Sequence, residues 1–129
     1  MIQLYVLSLV YLLLGSGFLL ADSLGVKVSL LYSLRYLFRN KKGFRLGMIL
    51  SGVVLTIGLA LFPIEPGPRI IGDLLPMINV FLLSVWFLAE SLQKHELFTD
   101  PAGCYQKYMG YATLAVALIH FLLPHFVLL

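Results

Sequence analysis

Four polar residues that could take part in chemistry lie inside long apolar stretches of the sequence: Asn79, Glu90, Thr113 and His120. A polar group in such a stretch normally faces protein or water rather than lipid. At about 100° per residue, Asn79 and Glu90 fall on one side of a helix, and Thr113 and His120 fall on one side of another. We predict that these four side chains form a polar seam between two neighbouring helices.

The predicted seam could serve either transport or packing. Asn79 and His120 each lie about nine residues, roughly 13 Å, from the same end of the two predicted helices, so antiparallel neighbours would bring them to one depth. In a polar pathway, His120 would titrate or bind a cation, and Glu90 would guard the inner mouth. Hydrogen bonding between helices is the commoner role of such residues, and we favour it.

A second polar pair is expected near the outer surface of the membrane. Asp73 and His125 match in depth, but each points away from the predicted seam. Water can hydrate both side chains at that level. We therefore predict that they lie at the outer interface rather than in a reactive site.

The sequence lacks the patterns of catalytic and metal-binding sites. The histidines and Cys104 do not have the spacing of HExxH or CxxC sites, and neither a glycine-rich phosphate loop nor a GxSxG motif occurs. Only His120 is deep enough to ligate a haem, so a bis-histidine haem would need a homodimer. We predict no catalytic residue, no metal and no cofactor, and an autonomous enzyme is the least favoured class.

The composition is that of a membrane protein. Of the 129 residues, 60% are hydrophobic and 12% are charged, whereas soluble domains are about half apolar and a quarter charged. Lipid must therefore be the solvent for much of the surface. The formal charge of +3 is explained by membrane topology, and we expect no nucleic-acid partner.

Four stretches are long and apolar enough to cross about 30 Å of hydrocarbon. The sequence thus predicts an all-α integral membrane protein with one domain, 1–129. The first span is expected to be retained rather than cleaved as a signal peptide, since no basic segment precedes it, and no soluble tail is expected after the last. We expect the third span to organise the bundle because it keeps the most polar groups. The predicted spans are residues 2–21, 46–64, 70–91 and 108–129.

The basic residues predict the orientation. Eight of the nine Lys and Arg residues fall in two of the three predicted loops, and only Arg69 falls in the third. The positive-inside rule makes those two loops cytoplasmic and places both termini outside. Turn signals at 63–69 and 99–103 predict two antiparallel hairpins. The single cysteine and the lack of glycosylation sequons favour a bacterial inner membrane.

The segment 23–45 is apolar but is not expected to span, because burying Lys27 and Arg35 would cost several kcal/mol. It predicts a short cytoplasmic helix at the interface after the first span. Its basic residues would contact anionic lipid headgroups or dock a partner subunit, and both alternatives remain open. This docking set comprises Arg35, Arg39, Lys41, Lys42 and Arg45.

Small residues in the second span predict close helix packing. Gly47, Ser51 and Gly58 form one row, and Gly52 begins another at four-residue spacing. Small residues let helix backbones approach closely, so this helix could have neighbours on two sides. Packing within the bundle is favoured over contact with another protein, but two rows on one helix leave surface for a partner.

The most favoured function is that of a non-catalytic accessory or assembly subunit of a larger membrane complex. Small size, short predicted loops and the spare small-residue rows favour it. The alternative is a small homo-oligomeric transporter or channel in which Asn79, Glu90 and His120 line the path. In both cases the expected partners are the lipid bilayer and either another membrane protein or further copies of the chain.

Overall fold

The computed structural model is all-helical and describes residues 2–24, 28–61, 74–92 and 104–122. Each long helix coincides with an apolar run of the sequence, as expected where backbone groups must be satisfied without water. The short second helix is bounded by extended backbone at Val28 and Lys41. Within the described residues there are five helices, α1 (Ile2–Leu24), α2 (Ser29–Asn40), α3 (Lys42–Leu61), α4 (Leu74–Ser91) and α5 (Cys104–Leu122).

In the described part of the chain, three helices rather than the four expected are long and apolar enough to cross a membrane. They are Gln3–Leu24, Lys42–Leu61 and Leu74–Ser91. The predicted fourth span, 108–129, corresponds in part to α5. That helix begins earlier, at Cys104, and its first turns contain polar residues that lower its apolar character. Residues 123–129 of the predicted span lie outside the described residues.

The central helix is α1, not the third predicted span. Helix α1 packs against all four other helices, most extensively against α5. Half of the residues in its most apolar stretch are buried inside the protein, compared with 28% in α3 and in α4. The number of polar groups in α4 therefore does not predict which helix lies at the centre. The central helix is the one whose surface packs against the most neighbours.

The long helices do not all pair with the helix that precedes or follows them in the chain, as two consecutive hairpins would require. Helices α3 and α4 pack along each other, but the main neighbour of α5 is α1 rather than α4. The α1–α5 pair is antiparallel, since Tyr5 at the start of α1 contacts His120 at the end of α5 and Asp22 contacts Gln106. The end with Asp22 and Gln106 is called the basic end below, because α2 and its arginines lie there.

Aromatic packing holds α2 against the bundle. Phe18, Phe38 and Phe87 are fully buried and come from α1, α2 and α4. The Phe38 ring centroid lies 5.2 Å from that of Phe18 and 5.0 Å from that of Phe87, within the range of favourable aromatic pairs. The predicted short helix after the first span is thus present, with one face inserted into the core.

The predicted small-residue rows of α3 have different surroundings. Gly52 is buried, and a Cβ atom added there would overlap the hydroxyls of Tyr11 and Ser84. At Gly58 an added Cβ would lie 3.2 Å from Leu4. Gly47 and Ser51 are exposed, and an added Cβ at Gly47 meets nothing within 4 Å. The row through Gly52 therefore packs within the chain, whereas Gly47 and Ser51 face outward.

Candidate functional site

The most polar cluster in the described helices lies at the basic end and is centred on Arg35. We call Asp22, Arg35, Glu90 and Gln106 the Arg35 cluster. Its members come from α1, α2, α4 and α5, so one set of contacts joins four helices. The Arg35 side chain is only 6% exposed, against 40% for Asp22 and 17% for Glu90.

The guanidinium group of Arg35 binds two carboxylates at once. Its Nη1 donates to Glu90 Oε2 at 3.1 Å, and its Nη2 lies 2.8 Å from Glu90 Oε1. On the other side, Nε and Nη2 donate to the two oxygens of Asp22 at 3.4 and 3.0 Å. The planar fork of arginine suits such paired contacts, which lysine could not reproduce.

Two further residues complete the surroundings of Asp22. The Gln106 side chain donates to Asp22 Oδ2 at 2.9 Å and to the Leu19 carbonyl at 3.2 Å. Arg39 Nη2 lies 3.6 Å from the same carboxylate oxygen, but its side chain is 60% exposed. The carboxylate of Asp22 thus has a buried arginine on one side and an exposed arginine on another.

Burial determines what this cluster can do. Charges removed from water are expensive unless they are paired and hydrogen-bonded, and deleting one partner of a buried pair costs about 3–5 kcal/mol. Arg35 also lies 5.9 Å from the centroid of the Phe38 ring, so its cation is bordered by aromatic core. The arrangement fixes α2 in position, and its donors and acceptors are directed at one another.

Two residues singled out in the sequence meet in this cluster. Arg35, predicted in the docking set, is buried, and Glu90, predicted in the polar seam, pairs with it. A sequence signal existed for Arg35, because it shares the apolar face of α2 with Leu31 and Phe38. A cation on the apolar face of a short helix indicates a buried carboxylate partner.

The predicted seam is divided in the structure. Thr113 Oγ1 donates to Asn79 Oδ1 at 3.0 Å, and this contact joins α4 to α5. His120 lies two turns farther along α5, where its carbonyl accepts a hydrogen bond of 2.9 Å from Tyr5 and its ring centroid is 4.7 Å from that of Tyr5. Asn79 therefore bonds to Thr113 rather than to His120. Matching residues by their distance from the predicted helix ends does not allow for the register of α4 against α5, which brings Asn79 to Thr113.

A third polar contact involves residues that the sequence analysis missed. The Tyr11 hydroxyl donates to the Met48 carbonyl at 3.1 Å and lies 3.3 Å from Ser84 Oγ. These atoms join α1, α3 and α4 beside Gly52, whose missing side chain leaves room for them. Ser84 lies inside an apolar run, and this was the available signal.

The remaining predicted residues have simpler surroundings. Arg39, Lys41 and Lys42 are exposed, and Arg45 is partly buried. Asp73 and His125, predicted at the outer interface, lie outside the described residues. In the described segments, no three His, Cys, Asp or Glu side chains converge to hold a metal ion.

No curated protein and no solved structure matches the chain significantly. One protein family, an uncharacterised domain, matches residues 1–120. Because that match covers nearly the whole chain, the protein belongs to this family of uncharacterised domains.

Proposed function

We propose that the protein is a non-catalytic integral membrane subunit that assists or assembles a larger membrane complex. The observation that carries this proposal is the arrangement of its polar side chains. Within the described helices they meet at separate levels: the Arg35 cluster at the basic end, the Tyr11–Ser84 contact, the Asn79–Thr113 pair, and Tyr5 with His120 at the opposite end. Each contact links helices of the same chain.

Distances along the helices argue against a continuous path. Glu90 is eleven residues from Asn79, which corresponds to about 16 Å along α4. Thr113 and His120 are about 10 Å apart along α5. Between Asn79 and Glu90, the hydroxyl of Ser84 meets Tyr11 but points about 140° away from Asn79 around α4. Leu83 and Phe87 on the same turns are fully buried, so apolar packing separates these polar contacts. Such contacts stabilise one helix arrangement, which suits a structural subunit.

The proposed membrane topology follows the charges. The basic end would face the cytoplasm, with α1, α3 and α4 crossing the bilayer. Helix α5 and the residues after it would supply the fourth crossing, which leaves both termini outside. A bacterial inner membrane is the proposed location. The antiparallel α1–α5 pair supports this alternation, because it places the polar start of α5 beside the basic end of α1.

The outward face of α3 is the proposed contact with another membrane protein. Gly47 and Ser51 are exposed there, beside the large apolar side chains of Leu50 and Val54. Small residues flanked by large ones let a second helix approach closely in lipid.

A transporter remains the alternative function. The observation that favours it is the burial of both Thr113 and His120 on one side of α5.

A pair of matched substitutions tests the proposal. Replacing Gly47 and Ser51 together by Leu should release a co-purifying membrane protein, because larger side chains block close approach. Ala60→Leu is the control, since Ala60 is also exposed on α3 but points about 140° or more away from that row. Both variants should keep the helical circular dichroism of the wild type.

Two results would contradict separate parts of the proposal. Partner binding that survives Gly47→Leu with Ser51→Leu but is lost in Ala60→Leu would contradict the assignment of the contact to the face with Gly47 and Ser51. The assembly function itself would be contradicted by a purified chain that forms a uniform homo-oligomer and moves protons or ions in liposomes, with flux abolished by His120→Ala while folding is intact. That second result would establish the transporter instead.

A further inference from the structure

The exposed side of α2 combines tyrosines with cations. Tyr32, Tyr36 and Arg39 follow at spacings of four and three residues, so they form one stripe along the helix. Their exposed fractions are 66%, 61% and 60% for the Tyr32 residue, the Tyr36 residue and the Arg39 side chain. Lys41 and Lys42, both exposed, follow at the junction with α3. We call these five residues the basic face.

The rotation of α2 is fixed, so the basic face has a defined direction. Arg35 and Phe38 are buried on the inner side of α2, where the carboxylates of Asp22 and Glu90 hold the guanidinium. Turning the helix about its axis would break these ion pairs and extract an aromatic ring from the core. The stripe through Tyr36 consequently cannot turn inward while the Arg35 cluster is intact.

The described residues at the basic end carry more positive than negative charge. Arg35 neutralises much of the charge of Asp22 and Glu90, and Arg39 touches Asp22 only across 3.6 Å. That contact is exposed and weak, as such surface pairs usually are, so an external anion can compete for Arg39. Lys41 and Lys42 add two charges within three residues of it.

We infer that the basic face binds the headgroups of anionic phospholipids in the leaflet at the basic end, with Arg39, Lys41 and Lys42 contacting phosphate. Basic residues beside a membrane gain about 1 kcal/mol each from anionic lipid. Tyrosine is favoured at the headgroup level, where its ring meets apolar chains and its hydroxyl meets water or phosphate. Both tyrosines and Arg39 lie on one fixed side of α2, and Lys41 and Lys42 follow directly after it. This combination of residue types argues for a lipid surface rather than for a soluble anion.

This inference rests on the proposed placement of the chain in a membrane, which is tested separately. Wild-type protein bound to vesicles should resist extraction by alkaline carbonate. If carbonate releases it, the membrane placement fails. If it resists extraction but the lipid experiment below gives the opposite result, only the assignment of the basic face fails.

The experiment measures lipid binding to purified protein in neutral detergent by native mass spectrometry. Phosphatidylglycerol and phosphatidylcholine are titrated against the wild type and the variant carrying Arg39→Gln, Lys41→Gln and Lys42→Gln. At about 1 kcal/mol per charge, the affinity for phosphatidylglycerol should fall on the order of 100-fold in the variant. The affinity for phosphatidylcholine should not change in the variant. Added salt should weaken only the binding of phosphatidylglycerol, because that lipid is anionic.

Single substitutions provide the controls. Arg39→Gln should reduce phosphatidylglycerol binding about fivefold, whereas Arg39→Lys should retain most of it. Lys107→Gln removes one exposed cation from α5 and should have little effect. Three results would overturn the inference. They are an unchanged affinity of the triple variant for phosphatidylglycerol, a loss of affinity in Lys107→Gln equal to that in Arg39→Gln, and displacement of the lipid by millimolar inorganic phosphate.

Discussion

Arg35 and Glu90 are 55 residues apart in the chain, yet the guanidinium of one meets the carboxylate of the other at 2.8 and 3.1 Å. The contact joins the short helix α2 to the end of the long apolar helix α4. Asp22 shares the same guanidinium. The position of α2, and with it the direction of the basic face, depends on this buried arrangement.

Replacing Arg35 should therefore be the most damaging substitution at the basic end. Arg35→Met keeps much of the side-chain volume but leaves two carboxylates without their shared cation, which should cost about 3–5 kcal/mol. Unfolding in mixed micelles followed by circular dichroism measures the loss. Arg39→Met is the matched control and should cost at most about 1 kcal/mol, because that side chain is exposed. Equal losses in the two variants would contradict the assigned role of Arg35.

A second substitution should relieve part of the damage. In Arg35→Met the carboxylate of Glu90 is left unpaired and largely buried, and Glu90→Gln removes its charge. We expect the double variant to be less destabilised than the sum of the single variants, by about 1–3 kcal/mol. Combining Arg39→Met with Glu90→Gln should be additive, since Arg39 pairs with Asp22 instead. A non-additive result only in the control pair would refute the direct contact.

Two glycines of α3 should respond in opposite ways to alanine. Gly52→Ala places a methyl group against the hydroxyls of Tyr11 and Ser84 and should destabilise the protein by about 1–3 kcal/mol through overpacking. Gly47→Ala meets open space and should be neutral or stabilise the helix by up to about 1 kcal/mol. Denaturant titration of both variants measures the difference. If Gly47→Ala were the more harmful, the packing assigned to this helix would be wrong.

The Asn79–Thr113 hydrogen bond should contribute little stability. Thr113→Val removes the donor with little change in volume and should cost about 0.6 kcal/mol, the average for hydrogen bonds between membrane helices. Thr56→Val is the comparison, because Thr56 donates to Gly52 on its own helix and its loss should not loosen a helix pair. Thermal unfolding measures both. Loss of ion flux in Thr113→Val without loss of stability would instead favour the transporter.

Much of the local structure could be predicted from the sequence. The apolar runs gave α1, α3 and α4 their type and approximate bounds, because about 20 apolar residues favour a membrane-spanning helix regardless of neighbours. The amphipathic pattern within 23–45 corresponds to α2, whose 12 residues are too few to cross about 30 Å of hydrocarbon. The start of α5 was predicted too late, since Tyr105 and Gln106 lie in a polar first turn that has no apolar signal.

The sequence by itself determined which segments are helical and which face of each helix carries polar or small residues, because helical periodicity is local. Only the tertiary structure decided which faces meet. It placed α1 at the centre, gave Asn79 the partner Thr113, and buried Arg35 between Asp22 and Glu90. The physical reason is that apolar helix faces are chemically alike, so equal depth does not select a neighbour. The choice depends on how side chains such as Phe38 and gaps such as that at Gly52 fit together, which emerges only when all the helices pack.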